Sequence, residues 1–297
     1  NTSGSLISLL DACLVDGFGV GTLDSIAVVD HVATATISAG HGLAMMGSTG
    51  PVIRISGVAA PDTDLNGDWR VASVPNSTTF TFATSGITNR TVNTVACKRK
   101  PAGFSKAFSG TNKAAYRSDD LVGTRLFLRI DDASTNYPRI RGYESMTDVD
   151  TGTGLFPTDA QISGGAYVYK ATGTNRPWKL MSDGRLIYCF LNSQNDTNWM
   201  GGFVFGDIVS YASPDAYGCV LISASGAGNS LDLYTMNYVN SSYLARSYTQ
   251  TGGSINSARY SHGRNNVLGN AIQPYPAPVD NSLHLWPVEV WEGTSLA

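Results

Sequence analysis

Residues 125–157 read RLFLRIDDASTNYPRIRGYESMTDVDTGTGLFP, and this stretch decides the fold class. Leu126, Leu128 and Ile130 alternate with Arg125, Phe127 and Arg129, the period of a strand with one buried face. Turn formers fill Asp131 to Pro138, and alternation resumes at Arg139-Ile140-Arg141. The reading is a hairpin with a long loop. It brings Arg129, Arg139 and Arg141 near Asp131, Asp132 and Glu144. Opposite charges on neighbouring strands pair, so these residues are expected to form a structural ion network.

The same two-residue period recurs on both sides of this hairpin. Towards the N-terminus, strands are expected at Val32–Ser38, Val52–Ser56, Trp69–Val74, Thr78–Thr84 and Thr91–Cys97. Leu65-Asn66-Gly67-Asp68 and Pro75-Asn76-Ser77 read as turns between them. Short strands at such spacing predict a small sandwich or barrel with Ile53, Ile55, Trp69, Phe80 and Phe82 in its core. Residues 98–122 show little pattern and read as a connection. Towards the C-terminus, the surest hairpin is Trp178–Leu191 with Asp183-Gly184 at its tip. Further strands are expected at Ala166–Lys170, Gly202–Phe205, Gly218–Ser223 and Leu231–Tyr238.

The two ends differ from this pattern. Leu6, Leu9, Leu10, Cys13 and Leu14 recur at helical spacing, which predicts a short docking helix over 5–15, capped by Ser5 and stopped by Gly17 and Gly19. Residues 246–281 are mostly Ser, Asn, Gly, Tyr and Pro and read as a long loop or arm. Alternation returns at Leu283–Glu292, where Pro287 confines the strand to a sheet edge or breaks it. Tyr275, Trp286 and Trp291 are the expected intersubunit contacts if this arm reaches a neighbouring copy; the other reading is that it closes its own sheet. The division expected is 1–22 docking helix, 23–97 inserted β module, 98–245 main β domain and 246–297 arm with an edge strand. The fold class is mainly β, with two sandwich- or barrel-like domains. The chain begins at Asn1 without a methionine and ends just past an alternating segment, so both ends are expected to be cut from a longer product.

Composition narrows the function classes. Charged residues make up 14% of the chain, against roughly 25% in an average domain. With 32 glycines and many small polar residues, this suits a β-rich protein whose surface is largely covered by neighbours. A net charge of −3 gives no reason to expect nucleic acid, and Lys98-Arg99-Lys100 reads as a solvated linker. Cys13, Cys97, Cys189 and Cys219 sit in apolar contexts without a CxxC and read as buried free thiols, with zinc binding and disulfides as the weaker alternatives. No apolar run is long enough to span a membrane as a helix.

Asp62, Asp64, Asn66, Gly67 and Asp68 open a calcium-loop pattern, but its twelfth position is Ser73 instead of an acid, and a turn with solvated acids is the better reading. DVDTGTG, with Asp148, Asp150 and Gly152, is a weaker match. Asp131, Asp132, Glu144, Asp148 and Asp150 offer carboxylate pairs, and Trp178, Trp199, Trp286 and Trp291 offer stacking surfaces, as glycoside hydrolysis requires. The neighbouring arginines favour ion pairing instead. His31, His41, His262 and His284 are scattered. No catalytic residues and no cofactor are expected, and no enzyme.

Three stretches carry a resemblance. GSLISLLDACLVDGFG (Gly4–Gly19), GTRLFLRIDD with RIRGYESMTDVDTGTGLFPT (Gly123–Thr158), and SGGAYVYK with RPWKLMSDGRLIYCF (Ser163–Phe190) together resemble a family of tailed-bacteriophage virion structural proteins. The segment His31–Thr84 is similar to small β modules inserted in phage tail and adhesion proteins. The resemblance implies a tail or baseplate component of the virion, with copies of itself and other virion proteins as partners. Capsid-surface decoration and a carbohydrate-binding host-attachment role, with a host glycan as ligand, are the alternatives. It carries no catalytic residues to transfer.

Overall fold

The computed structural model describes residues 2–171, 175–192, 200–208, 216–224, 240–245, 254–255 and 289–293. The chain divides into two compact units, Asp16–Pro101 and a host formed by Asn1–Val15 with Ala102–Ala297. The inserted module is therefore longer at both ends than the strand pattern predicts. The N-terminal helix belongs with the sheet that follows residue 101.

Unit Asp16–Pro101 is a closed six-stranded barrel in the order β1-β2-β5-β4-β3-β6. Its strands are β1 (Phe18–Val29), β2 (Val32–Thr36), β3 (Val52–Ser56), β4 (Gly67–Ser73), β5 (Thr79–Ala83) and β6 (Arg90–Arg99). Closure leaves no unpaired edge, and the inward alternate residues fill the interior. Leu23, Ile26, Ala33, Ala35, Ile53, Phe80 and Phe82 have no exposed surface, and Ile55 almost none. Trp69 packs on this core half-buried, with its ring centroid 5.4 Å from that of Phe82. His41 is buried at one end. Its Nδ1 accepts from the Leu43 amide at 2.9 Å, so Nε2, 2.8 Å from the Asn76 carbonyl, carries the proton.

Two local readings change. Strand β1, the longest among the described residues, went unread because Gly17, Gly19 and Gly21 break its start, and its register shifts between Phe18 and Gly21. Asn66-Gly67 is not the two-residue turn of a hairpin. Asn66 is extended and its side chain binds both backbone groups of Val58, closing the longer loop between β3 and β4.

The host unit is built on a 12-stranded sheet. Its members are β7 (Phe104–Gly110), β8 (Lys113–Ser118), β9 (Phe127–Asp131) and β10 (Arg139–Tyr143), then, beyond the small pair β11 (Ser145–Met146) and β12 (Gly152–Thr153), strands β13 to β20. These are β13 (Ala166–Tyr167), β14 (Trp178–Ser182), β15 (Leu186–Asn192), β16 (Met200–Asp207), β17 (Cys219–Ala224), β18 (Asn240–Leu244), β19 (Ser254–Ile255) and β20 (Glu289–Gly293). The path runs β20-β14-β15-β16-β17-β13-β10-β9-β8-β7, with β18 and β19 branching from β17. The hairpin of β9 and β10 pairs Ile140 with Ile130 and Arg141 with Arg129. That of β14 and β15 pairs Trp178 with Leu191.

Residues 98–122 are not a bare connection, since β7 and β8 form an edge hairpin there. Ala114, Ala115 and Tyr116 are buried consecutively on both faces, which erases the alternation that marks a half-buried strand. Strand β20 occupies the opposite edge and pairs Trp291 with Leu180 of the same chain. Of the two readings of the C-terminal segment, the backbone of Trp291 follows the one in which it completes its own sheet. Tyr275, Trp286, Trp199 and the strand expected at Leu231–Tyr238 lie outside the described residues.

The N-terminal helix α1 (Ser5–Leu10) continues as a π-helical turn over Asp11–Asp16. Ser5 does not cap it. Gly4, at φ 82°, is the N-cap, and no side chain of the cap residue serves the first turn. Leu6, Leu10, Cys13 and Leu14 have no exposed surface. Val15 and Ala102 flank the barrel insertion, and the host closes across it. Ala102 donates to the Cys13 carbonyl at 2.9 Å, and Gly103 to that of Leu14 at 3.2 Å.

Candidate functional site

The amides of the first helical turn must find acceptors, and the cap residue offers none. They find one in Asp132. Strand β9 alternates Leu128 and Ile130 towards the buried side, and Asp132, two residues on, stays in phase with them. Its Oδ2 accepts from the Leu6 amide at 2.7 Å and from the Ile7 amide at 3.4 Å. Its Oδ1 meets Nζ of Lys170. Lys170 reaches the same place by the same rule, being in phase with Ala166 and Val168, both fully buried. Neither Asp132 nor Lys170 has any exposed surface. The ammonium also touches the Thr2 carbonyl at 2.6 Å and Ser5 Oγ at 3.1 Å.

A buried carboxylate and ammonium cost several kcal/mol of lost hydration each, repaid only by close pairing and further hydrogen bonds. Here both have them. Burial pushes the Asp132 carboxyl up, against the pull of Lys170 and the two amides. Burial pushes Lys170 down, against the pull of Asp132. Beside this clasp, Tyr116 Oη donates to Asp11 Oδ1 at 2.8 Å, and Lys106 pairs with Asp11 Oδ2 at 2.6 Å. The helix is thus tied to β7, β8 and the end of β9 by polar contacts as well as by its leucines.

The opposite side of the β9–β10 hairpin carries the arginines. Arg129 pairs with Asp131 at 3.4 Å and with Asp150 at 2.6 Å, and Lys113 reaches the same Asp150 at 2.8 Å. Arg141 pairs with Asp159 at 2.6 Å. Arg139 lies 3.5 Å from the Tyr167 ring centroid and donates to the carbonyls of Ser163 and Gly164. Glu144 sits over Gly154, where an added Cβ would come within 2.2 Å of its carboxyl carbon. Of the network expected from sequence, Arg129–Asp131 is joined directly. Asp132 faces away from the arginines and takes Lys170 instead, because successive strand residues point to opposite faces. The partners that sequence reasoning missed, Asp150, Asp159 and Lys170, lie 18 or more residues from the charges they meet. The phase of Asp132 with Leu128 and Ile130, and of Lys170 with Val168, was the signal that could have found the clasp.

These pairs also fix the acids considered for sugar chemistry. The Lys113 and Arg129 side chains hold the Asp150 carboxyl below its usual range, and the amide of Asp150 holds that of Asp148 low. In the barrel, the acids of the calcium-like pattern face cations. Asp62 and Asp64 pair with Arg90, and Asp68 pairs with Arg54 at 2.7 Å and Lys100 at 3.6 Å. No cluster of three or more His, Cys, Asp or Glu suited to a metal occurs among the described residues. The cysteines are free and buried, and burial pushes the Cys97 and Cys189 thiols up to about 12. No helix among the described residues is long and apolar enough to cross a membrane.

A further surface feature follows β8. Asp120 accepts from the Val122 amide and pairs with Arg185 at 2.6 Å, and Asp207 accepts from the amide and hydroxyl of Thr124. The turn between these anchors presents Leu121 and Val122, each 80% exposed. Compared with known proteins, the chain matches no family model, no curated protein and no solved structure.

Proposed function

We propose that the chain is a structural subunit of a bacteriophage particle, placed in the tail or baseplate and acting by symmetric assembly with its own copies and other virion proteins. The observation that carries this reading is where the resembling stretches meet. Each of the three contributes to one clasp: Ser5 and Leu6 from the first, Asp132 from the second and Lys170 from the third. Segments far apart in sequence are thus joined at one point of the host unit, and the barrel, with its separate resemblance, is the other unit. Such convergence is what a shared structural scaffold requires.

The surface chemistry suits assembly. Leu121 and Val122, pinned by a clamped turn, offer the apolar contact that a neighbouring subunit would cover. Lys106, Lys113, Arg129 and Arg141 of the sheet each pair with an acid of the same chain. The test is mass spectrometry of purified particles of the phage that encodes it, followed by antibody labelling. The expected result is the chain in mature particles in fixed stoichiometry, with label on the tail. Label on the head would move the assignment to capsid decoration, and absence from mature particles would overturn it.

A further inference from the structure

The groups that an amide-forming condensation needs meet at the clasp: an amine, a carboxyl, donors for an oxyanion, and dryness. We propose that Lys170 and Asp132 join in an intramolecular isopeptide bond, so that this pair is a self-modification site and not only an ion pair. The inference goes beyond the assignment to a virion, and its test does not depend on that assignment.

The geometry distinguishes the two oxygens of Asp132. Oδ1 faces Nζ of Lys170, while Oδ2 is held by the backbone amides of Leu6 at 2.7 Å and Ile7 at 3.4 Å. Attack of Nζ on Cγ places negative charge on one oxygen, and fixed backbone donors at that oxygen are the arrangement that stabilises it. Nucleophile and electrophile are held in contact by the fold, so the step is intramolecular and has the advantage of prepaid orientation. Both side chains have no exposed surface. Burial displaces each group towards its neutral form, which is the reactive one.

The steps balance without a co-reactant. The Lys170 ammonium gives a proton to Asp132 Oδ1, leaving a neutral amine and a neutral carboxylic acid. The Nζ lone pair forms the bond to Cγ, and the C=O electron pair moves to Oδ2 between the Leu6 and Ile7 amides. One Nζ proton passes to the Oδ1 hydroxyl, which Nζ already contacts. The Cγ–Oδ1 bond breaks, water leaves, and the C=O to Oδ2 re-forms. The remaining Nζ–H keeps its acceptor at the Thr2 carbonyl, 2.6 Å away. Two charges buried at a cost become one neutral amide with its hydrogen bonds intact.

The test is intact mass of the full chain under denaturing conditions, with a tryptic map. The expected mass is one water below that of the expressed sequence. Trypsin should then yield a branched peptide joining Ile130–Arg139 to Gly142–Lys179, because an acylated Lys170 is no longer cleaved and Arg176 precedes Pro177. Lys170→Arg keeps the cation but removes the amine nucleophile, and should run at its full sequence mass. Wild-type protein at full mass, or a lost water without the branched peptide, would overturn the proposal. The wild-type map decides the matter even where the variant does not fold.

Discussion

Asp68 and Asp132 are both aspartates paired with a cation, and they sit in opposite surroundings. Asp68 meets Arg54 on the outside of the barrel, where the two side chains keep 32% and 40% of their exposure. Asp132 meets Lys170 inside the host unit with none. The barrel can leave its charges in water because closure pairs all of its strands with one another and its interior is filled by aliphatic and aromatic side chains. The host unit is an open sheet whose N-terminal helix lacks a capping side chain, so an acceptor for the helix amides must come from elsewhere. A charged group brought inside for that purpose needs a counter-charge, and Lys170 supplies it. Two β units of one chain are thus held by different means, one by apolar closure and the other by a polar clasp.

The largest effect that would sharpen this contrast is expected from Lys170→Met. It leaves Asp132 buried without its partner, which typically costs about 3–5 kcal/mol. Denaturant unfolding followed residue by residue should show the loss in the host unit and none in the barrel. Equal losses in both units would break the comparison. A smaller change is expected from Ile53→Val, which removes one methylene from the fully buried barrel interior. The cost should be about 0.5–1.5 kcal/mol, confined to the barrel. Arg54→Ala, at an exposed pair, should cost less than about 1 kcal/mol and lose its effect in high salt.

Much of this was legible in the sequence where one face of a strand is buried and the other is wet. Barrel strands β3 and β5 and hairpin strand β14 follow that rule, and the core residues Ile53, Ile55, Phe80 and Phe82 were named from it. Legibility failed at β8 and at β1. Ala114-Ala115-Tyr116 is buried on both faces, and β1 starts among glycines. The clasp was half read. Asp132 was named as a charged site, but its partner was sought among the nearest arginines rather than on its own face. Lys170 lies 38 residues away, and only the topology that places β13 next to β10 brings it close.

The smallest effect concerns pH. Burial raises the Asp207 carboxyl, so the folded state holds that proton more tightly than the unfolded chain does. Its contribution favours folding below the unfolded carboxylate value of about 3.9 and is lost as pH rises through the folded value. Asp207→Asn cannot ionise, so its stability relative to wild type should improve from pH 4 towards pH 7. A difference that stays flat with pH would show that Asp207 has no such role.

The clasp itself is tested most directly by hydrogen exchange of the Leu6 and Ile7 amides. If Asp132 holds the first helical turn to the sheet, both amides should exchange only through global unfolding of the host unit, as slowly as the core amides of the β9–β10 hairpin. In Asp132→Ala they should exchange by local opening, orders of magnitude faster, while the barrel amides are unchanged. Fast exchange of Leu6 and Ile7 in the wild-type protein would contradict the account.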